Sequence, residues 1–198
     1  MGELAATLNP AAIHIGEDET HYDSMIPPGD SDPNHTKANY VRDGINIAHG
    51  YLAGLSTPVK THIWGDMLDP NQNGKHLEYS GVQLLAQLPG DIVIYNWKYD
   101  EAAYQVSTQM FVDAGFKTVG SSWHKPLSVS GNIRSVYECT LGRGMTPANS
   151  TEHGYCLTSW NNTSTNAVAP ELVTAFGLGA YLSWSADENE PAYLPFPP

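Results

Sequence analysis

Ala11-Ala12-Ile13-His14-Ile15-Gly16-Glu17-Asp18-Glu19 is a short apolar run that ends abruptly in three acids. A run this short, closed by glycine, reads as a buried strand rather than a helix. The change from apolar to charged then puts the acids at the strand's C-terminal end. The same form recurs down the chain. Val59-Lys60-Thr61-His62-Ile63-Trp64 leads into Gly65-Asp66, and Asp91-Ile92-Val93-Ile94-Tyr95 leads into Asn96-Trp97. Lys117-Thr118-Val119-Gly120-Ser121-Ser122 precedes Trp123-His124, and Gly154-Tyr155-Cys156-Leu157-Thr158-Ser159-Trp160 precedes Asn161-Asn162.

Helix-periodic stretches separate these runs. Residues 39–55 carry Val41, Ile45, Ala48 and Leu52 at helical spacing. Residues 79–88 form a shorter candidate. Residues 101–114 put Val106, Met110 and Phe111 on one face, with Gly115 as a stop. Residues 133–141 follow, and residues 170–184 open on Pro170, which suits a first helical turn. Strands alternating with helices predict parallel pairing through right-handed crossovers. An open flavodoxin-like sheet would use a similar number of strands. Polar and aromatic residues at the C-terminal end of every strand favour a barrel, because there that rim is the active face. The expectation is therefore α/β: a partial (β/α)8 TIM-type barrel of about five βα units. With no composition break, residues 1–190 read as one domain, and residues 191–198, half of them proline, as an extended tail.

The bulk numbers narrow the function. The chain has 198 residues, 41% of them apolar, with 21 acids against 9 bases and a net charge of −12. Such a chain repels nucleic-acid phosphates and anionic membranes, so neither is expected as a partner. The acids are scattered, so solubility alone also explains the charge. A neutral partner such as a sugar fits. The two cysteines, Cys139 and Cys156, exclude a disulfide scaffold and a cysteine-only zinc site, and read as free thiols. No apolar run approaches the roughly 20 residues that cross a bilayer. The first residues lack the basic-then-apolar form of a signal peptide. Sequons at Asn34, Asn149, Asn161 and Asn162 are weak signals in a chain rich in Asn and Thr.

The chemistry concentrates at residues 14–20. Three adjacent acids repel one another, and in a dry pocket that repulsion raises the proton affinity of at least one. A carboxyl that stays protonated near neutrality can protonate a leaving oxygen. An exposed acidic loop is the plainer alternative. Indoles at the strand ends weigh against it, since they stack on the apolar faces of sugar rings.

His14-Ile15-Gly16-Glu17-Asp18-Glu19 resembles the His-x-Gly-Gly-Asp-Glu signature of glycoside hydrolase family 20, the β-N-acetylhexosaminidases. In that family the motif closes the fourth strand of a (β/α)8 barrel. Ile63-Trp64-Gly65-Asp66-Met67-Leu68, Tyr95-Asn96-Trp97 and Thr158-Ser159-Trp160 look like its fifth, sixth and eighth strands, so the likeness runs from about Leu4 to Trp184. It implies substrate-assisted, retaining cleavage of β-linked N-acetylhexosamine, in which the 2-acetamido oxygen attacks the anomeric carbon. Glu19 would be the general acid/base. Asp18 would orient the acetamido N–H and stabilise the oxazolinium. Trp64, Trp97 and Trp160 would wall the sugar, with His14 and Asp66 also lining the site. No metal or cofactor is implied.

The sequence departs from the family at four places. Glu17 replaces the second glycine. Ser121-Ser122-Trp123-His124 carries no Tyr where many members grip the acetamido oxygen, leaving Trp123 or His124 in its space. Asn162 stands where many members bind sugar hydroxyls with Glu, and can still hydrogen-bond them with less charge assistance. The motif also begins near residue 13, so strands one to three have no counterpart. A second copy of the chain covering the open barrel edge would resolve the unpaired strand this leaves. Two other functions compete. A sugar-binding remnant would bind without turnover. A metal-dependent hydrolase would draw on His14, Asp18, Glu19 and His21, with His62 and His124 nearby.

Overall fold

The computed structural model describes residues 2–20, 26–140, 144, 153–159 and 170–185. The fold is α/β, with five strands in the sheet order β1-β2-β3-β4-β5. The strands are β1 (Ala12–His14), β2 (Lys60–Trp64), β3 (Val93–Trp97), β4 (Lys117–Ser122) and β5 (Gly154–Leu157). The helices are α1 (Gly2–Leu8), α2 (Lys37–Ala53), α3 (Val82–Leu85), α4 (Val106–Asp113), α5 (Pro126–Cys139) and α6 (Pro170–Ser185). Chain contacts divide the molecule into two compact units. The first comprises Met1–Tyr95 with Asp113–Lys117, the second Asn96–Val112 with Thr118–Pro198.

In the first unit, β1 pairs parallel with β2, and β2 with β3, placing His14 opposite His62 and Trp64 opposite Tyr95. Alternation along the strands turns His14, His62, Trp64 and Tyr95 to one face and Ile13, Ile63 and Ile94 to the other. Ile63 and Ile94 are wholly buried. Helix α2 packs on β2. It buries Val41, Ile45, Ala48 and Leu52, the stripe its periodicity predicts. Thr36 caps it, its hydroxyl accepting from the Asn39 amide at 3.1 Å. Among the described residues β1 is an edge strand, with β2 as its neighbour.

In the second unit, β4 pairs parallel with β5 over Val119–Ser122 and Gly154–Leu157. Helices α5 and α6 pack on each other and on β5. Val129, Ala175, Leu178 and Leu182 form their shared core, with Ile133, Tyr155 and Leu157 against it. Asn96, at the end of β3, is buried and donates to Ser107 and Thr108 of α4 at 3.0 and 2.9 Å. Cys139 is buried and Cys156 half-buried; both are free thiols.

Several helices differ from the sequence expectation. The 79–88 stretch yields only the single turn α3. Gly81 before it has φ 58° and no side-chain cap, and Pro89 lies just beyond it. Helix α4 starts at Val106 rather than 101, and Val106 itself is 71% exposed while Phe111 is fully buried. Helix α5 starts at Pro126, well before 133. Helix α1 was not anticipated. Residues 191–198 lie outside the described residues, as do His21, Trp160 and Asn162. No helix among the described residues is long and apolar enough to cross a membrane.

Candidate active site

Beyond β1 the chain turns sharply. Gly16 has φ 85°, Glu17 φ 68° and Glu19 φ 46°. Two non-glycine residues in left-handed backbone within one turn are uncommon, and such conformations persist only where surrounding bonds enforce them. Four bonds do so. The Ile15 amide donates to the His62 carbonyl at 2.9 Å, and the Trp64 amide donates to the Gly16 carbonyl at 2.9 Å. The Gly16 amide donates to His14 Nδ1 at 3.1 Å. The Glu19 amide donates to Asp66 Oδ2 at 3.0 Å. Thus the acidic turn is laced to the C-terminal end of β2. Glu17 sits on the left-handed backbone that a glycine would adopt without strain.

The three acids have different surroundings. Asp18 and Glu19 are exposed. Glu17 is half-buried, with both carboxylate oxygens 3.8 Å from where a Cβ on Gly44 of α2 would stand. Burial, and then the negative charge of Asp18, push the Glu17 carboxyl above its ordinary range. The raised proton affinity expected somewhere in this triplet therefore falls on Glu17.

Beneath the acids lies an aromatic layer. The His14 ring is 4.6 Å from Trp64 and 5.0 Å from Tyr95, and His62 is 5.4 Å from Tyr95. His14 keeps an open edge to water, yet its packed faces dominate its titration. Desolvation, with His62 adding, lowers it to about 4, and Asp18 opposes only in part. His62 is lowered too, by burial and then by Lys60. Both rings are neutral at pH 7. Asp66 is wholly buried, and its Oδ2 also accepts from Asn73 Nδ2 at 2.8 Å.

The first unit thus gathers His14, Asp18, Glu19, Trp64 and Asp66. Trp97 and Trp123 belong to the second unit, where Tyr99 joins them. Tyr99 lies 5.1 Å from Trp97 and 5.9 Å from Trp123, and Trp123 meets the edge of His124 at 4.1 Å. The Tyr99 hydroxyl accepts from Thr158 Oγ1 at 3.3 Å. Tyr99, two residues beyond Trp97, is not among the residues that the sequence places at the site. Its signal was the Trp97-Lys98-Tyr99 spacing, which returns both rings to one side of an extended chain.

Among the described residues no three His, Cys, Asp or Glu side chains are grouped to hold a metal ion. The exposed carboxyls of Asp18 and Glu19 thus stand on a turn bonded to the strand end that carries Trp64. No family model matches the chain, and comparison with curated proteins finds no match.

Proposed function

We propose that this chain is the C-terminal portion of a (β/α)8 barrel that removes β-linked N-acetylhexosamine by substrate-assisted, retaining catalysis. Glu19 protonates the glycosidic oxygen as the acetamido oxygen closes on the anomeric carbon. Asp18 holds the acetamido N–H and stabilises the cationic ring. Glu19 then takes a proton from the water that opens it, so the anomeric configuration is retained. Trp64 supplies stacking surface for the sugar. Because Asp18 and Glu19 are exposed, a sugar stacked on Trp64 is what removes water from them.

The observation that carries this reading is the bond from the Glu19 amide to Asp66. It ties the Asp-Glu pair to the strand end that bears Trp64, where a parallel α/β sheet places its ligands. Hydrolysis of a chromogenic N-acetylglucosaminide tests it. Glu19→Gln should lower kcat by at least about 100-fold, the scale of general acid catalysis. Asp18→Asn should cost a comparable factor. Glu17→Gln should stay within a few fold; if it alone abolishes turnover, the acid role moves to Glu17, the carboxyl whose surroundings favour its proton.

A sugar-binding module without turnover is the second reading, favoured by the exposure of both carboxyls. Saturable binding of N-acetylglucosamine oligomers by a chain that hydrolyses none would establish it. The edge position of β1 among the described residues also supports a second copy of the chain as the cover for that edge.

A further inference from the structure

We infer that Asp66 is a positioning residue for Glu19, a buried carboxylate that fixes the backbone of the acid rather than touching the sugar. The inference rests on the hexosaminidase reading for what Glu19 does, but its geometry is independent of that reading. Asp66 is 0% exposed, so its carboxylate offers nothing to a ligand at the surface. A charge removed from water must be met by donors. Asp66 Oδ2 takes two, the Glu19 amide at 3.0 Å and Asn73 Nδ2 at 2.8 Å. A hydrogen bond to a buried acceptor is expensive to break, so this one holds Glu19 in a conformation it would otherwise leave. Glu19 has φ 46°, where side-chain-bearing residues are strained.

The sequence between β2 and α3 is built to present Asn73 at that carboxylate. After Trp64 the chain winds tightly, with the amides of Leu68 and Asp69 both donating to the Gly65 carbonyl. Met67 and Leu68 anchor the winding in the core at 1% and 0% exposure. A short 3-10 turn, Asn73–His76, is then drawn beneath it. The Gly74 amide donates to the Asp66 carbonyl at 2.9 Å. Only glycine fits there, because a Cβ would stand 2.6 Å from the Asp69 carbonyl oxygen and 2.7 Å from that of Met67. Gly74 thus lets the turn approach, the turn delivers the Asn73 amide, and Asn73 and Glu19 share one carboxylate oxygen. Weakening the Asp66 acceptor, or removing the Asn73 bond that helps to hold its carboxyl in place, loosens the Glu19 backbone, and small displacements of a catalytic group are expensive in rate.

The test uses the full chain with Asn73→Ala and Asp66→Asn, each checked for an intact fold by circular dichroism. The first readout is solvent exchange of the Glu19 amide by NMR, which needs no turnover. Exchange should accelerate by roughly 10-fold or more in both variants, as the bond to the Glu19 amide is weakened in Asp66→Asn and its acceptor is loosened in Asn73→Ala. The second is kinetics on the chromogenic N-acetylglucosaminide: kcat should fall about 10-fold with KM within about 2-fold, the mark of an interaction that matters only in the transition state. A merely structural role would not move kcat alone. An unchanged Glu19 amide in Asn73→Ala overturns the inference, and so does a raised KM at constant kcat, which would put Asp66 on the sugar. Should Asp66→Asn not fold, Asn73→Ala decides by itself. If the wild-type chain turns over nothing, the hexosaminidase reading fails while the amide readout still upholds or overturns the clamp.

Discussion

His14 shows how one ring can serve two neighbours at once. Its Nδ1 lone pair accepts the Gly16 amide, which fixes the start of the acidic turn. Trp64 and Tyr95 pack against it, and His62 and Asp18 are the titratable groups that act on it most. A proton on Nδ1 would set two N–H groups against each other, so the turn requires the neutral ring. Its folded pKa, about 4, lies below the ordinary 6.5. The unfolded chain therefore takes up this proton first. The stabilisation is complete above pH 6.5 and is lost as pH falls towards 4. Glu17 acts in the opposite sense. Its raised affinity favours the folded state at low pH, and that advantage disappears as pH rises through its folded value. Titration of the His14 ring by NMR should give a midpoint near 4, and His14→Gln should flatten the acid limb of the stability curve. A midpoint at 6.5 would mean the ring is not enclosed. That three acids follow the first strand was legible in the sequence, because charge at a strand end is a pattern. That burial pushes Glu17 upward was not, because it depends on Gly44 of α2 leaving room for the Glu17 carboxyl.

Helix α5 is an element whose packing is set by small and polar residues. Its buried face is Ser128, Val129, Gly131, Asn132, Ser135, Val136 and Cys139. Asn132 and Ser128 donate to the Lys98 carbonyl at 2.9 and 2.7 Å. The Gln105 amide donates to Ser135 at 2.6 Å. A Cβ on Gly131 would collide with the Ala102 carbonyl oxygen. Gly131→Ala should cost about 3 kcal/mol in denaturant unfolding, the upper end of overpacking. Gly50, exposed on α2 with nothing within 4 Å of an added Cβ, is the control. Gly50→Ala should stabilise by roughly 0.5–1 kcal/mol, because glycine is costly in a helix interior. Equal effects at the two sites would contradict this packing. The same composition explains why apolar periodicity located α2 to within two residues at each end yet found only the last part of α5. A stripe of Ser, Gly and Asn is invisible to a search for apolar residues. The strands were easier, and Lys117–Ser122 was bounded correctly, because a short run with β-branched residues between helix-periodic stretches reads as a strand.

At the scale of the whole molecule, the alternation of strand and helix was enough to foresee the α/β class and the parallel pairings. Strands met in sequence order along the sheet follow from short crossovers of one hand. The division of contacts into two units was not legible, since no change of composition marks it. Among the described residues β1 is an edge strand, which bears on assembly because open strand edges attract partners. Light scattering at micromolar concentration should find a dimer or larger, and a stable monomer would remove the second copy from the proposal. The free thiols add a practical consequence. Cys139 is buried, with its Sγ 3.0 Å from the Tyr104 hydroxyl, while Cys156 is half-buried and pushed up by burial. A soluble disulfide reagent attacks only thiolate that it can reach. Cys156 should therefore be labelled first and Cys139 only as fast as α5 lifts away, so the chain carries its own stopwatch for local opening, read in the absorbance of the reagent's released thiol.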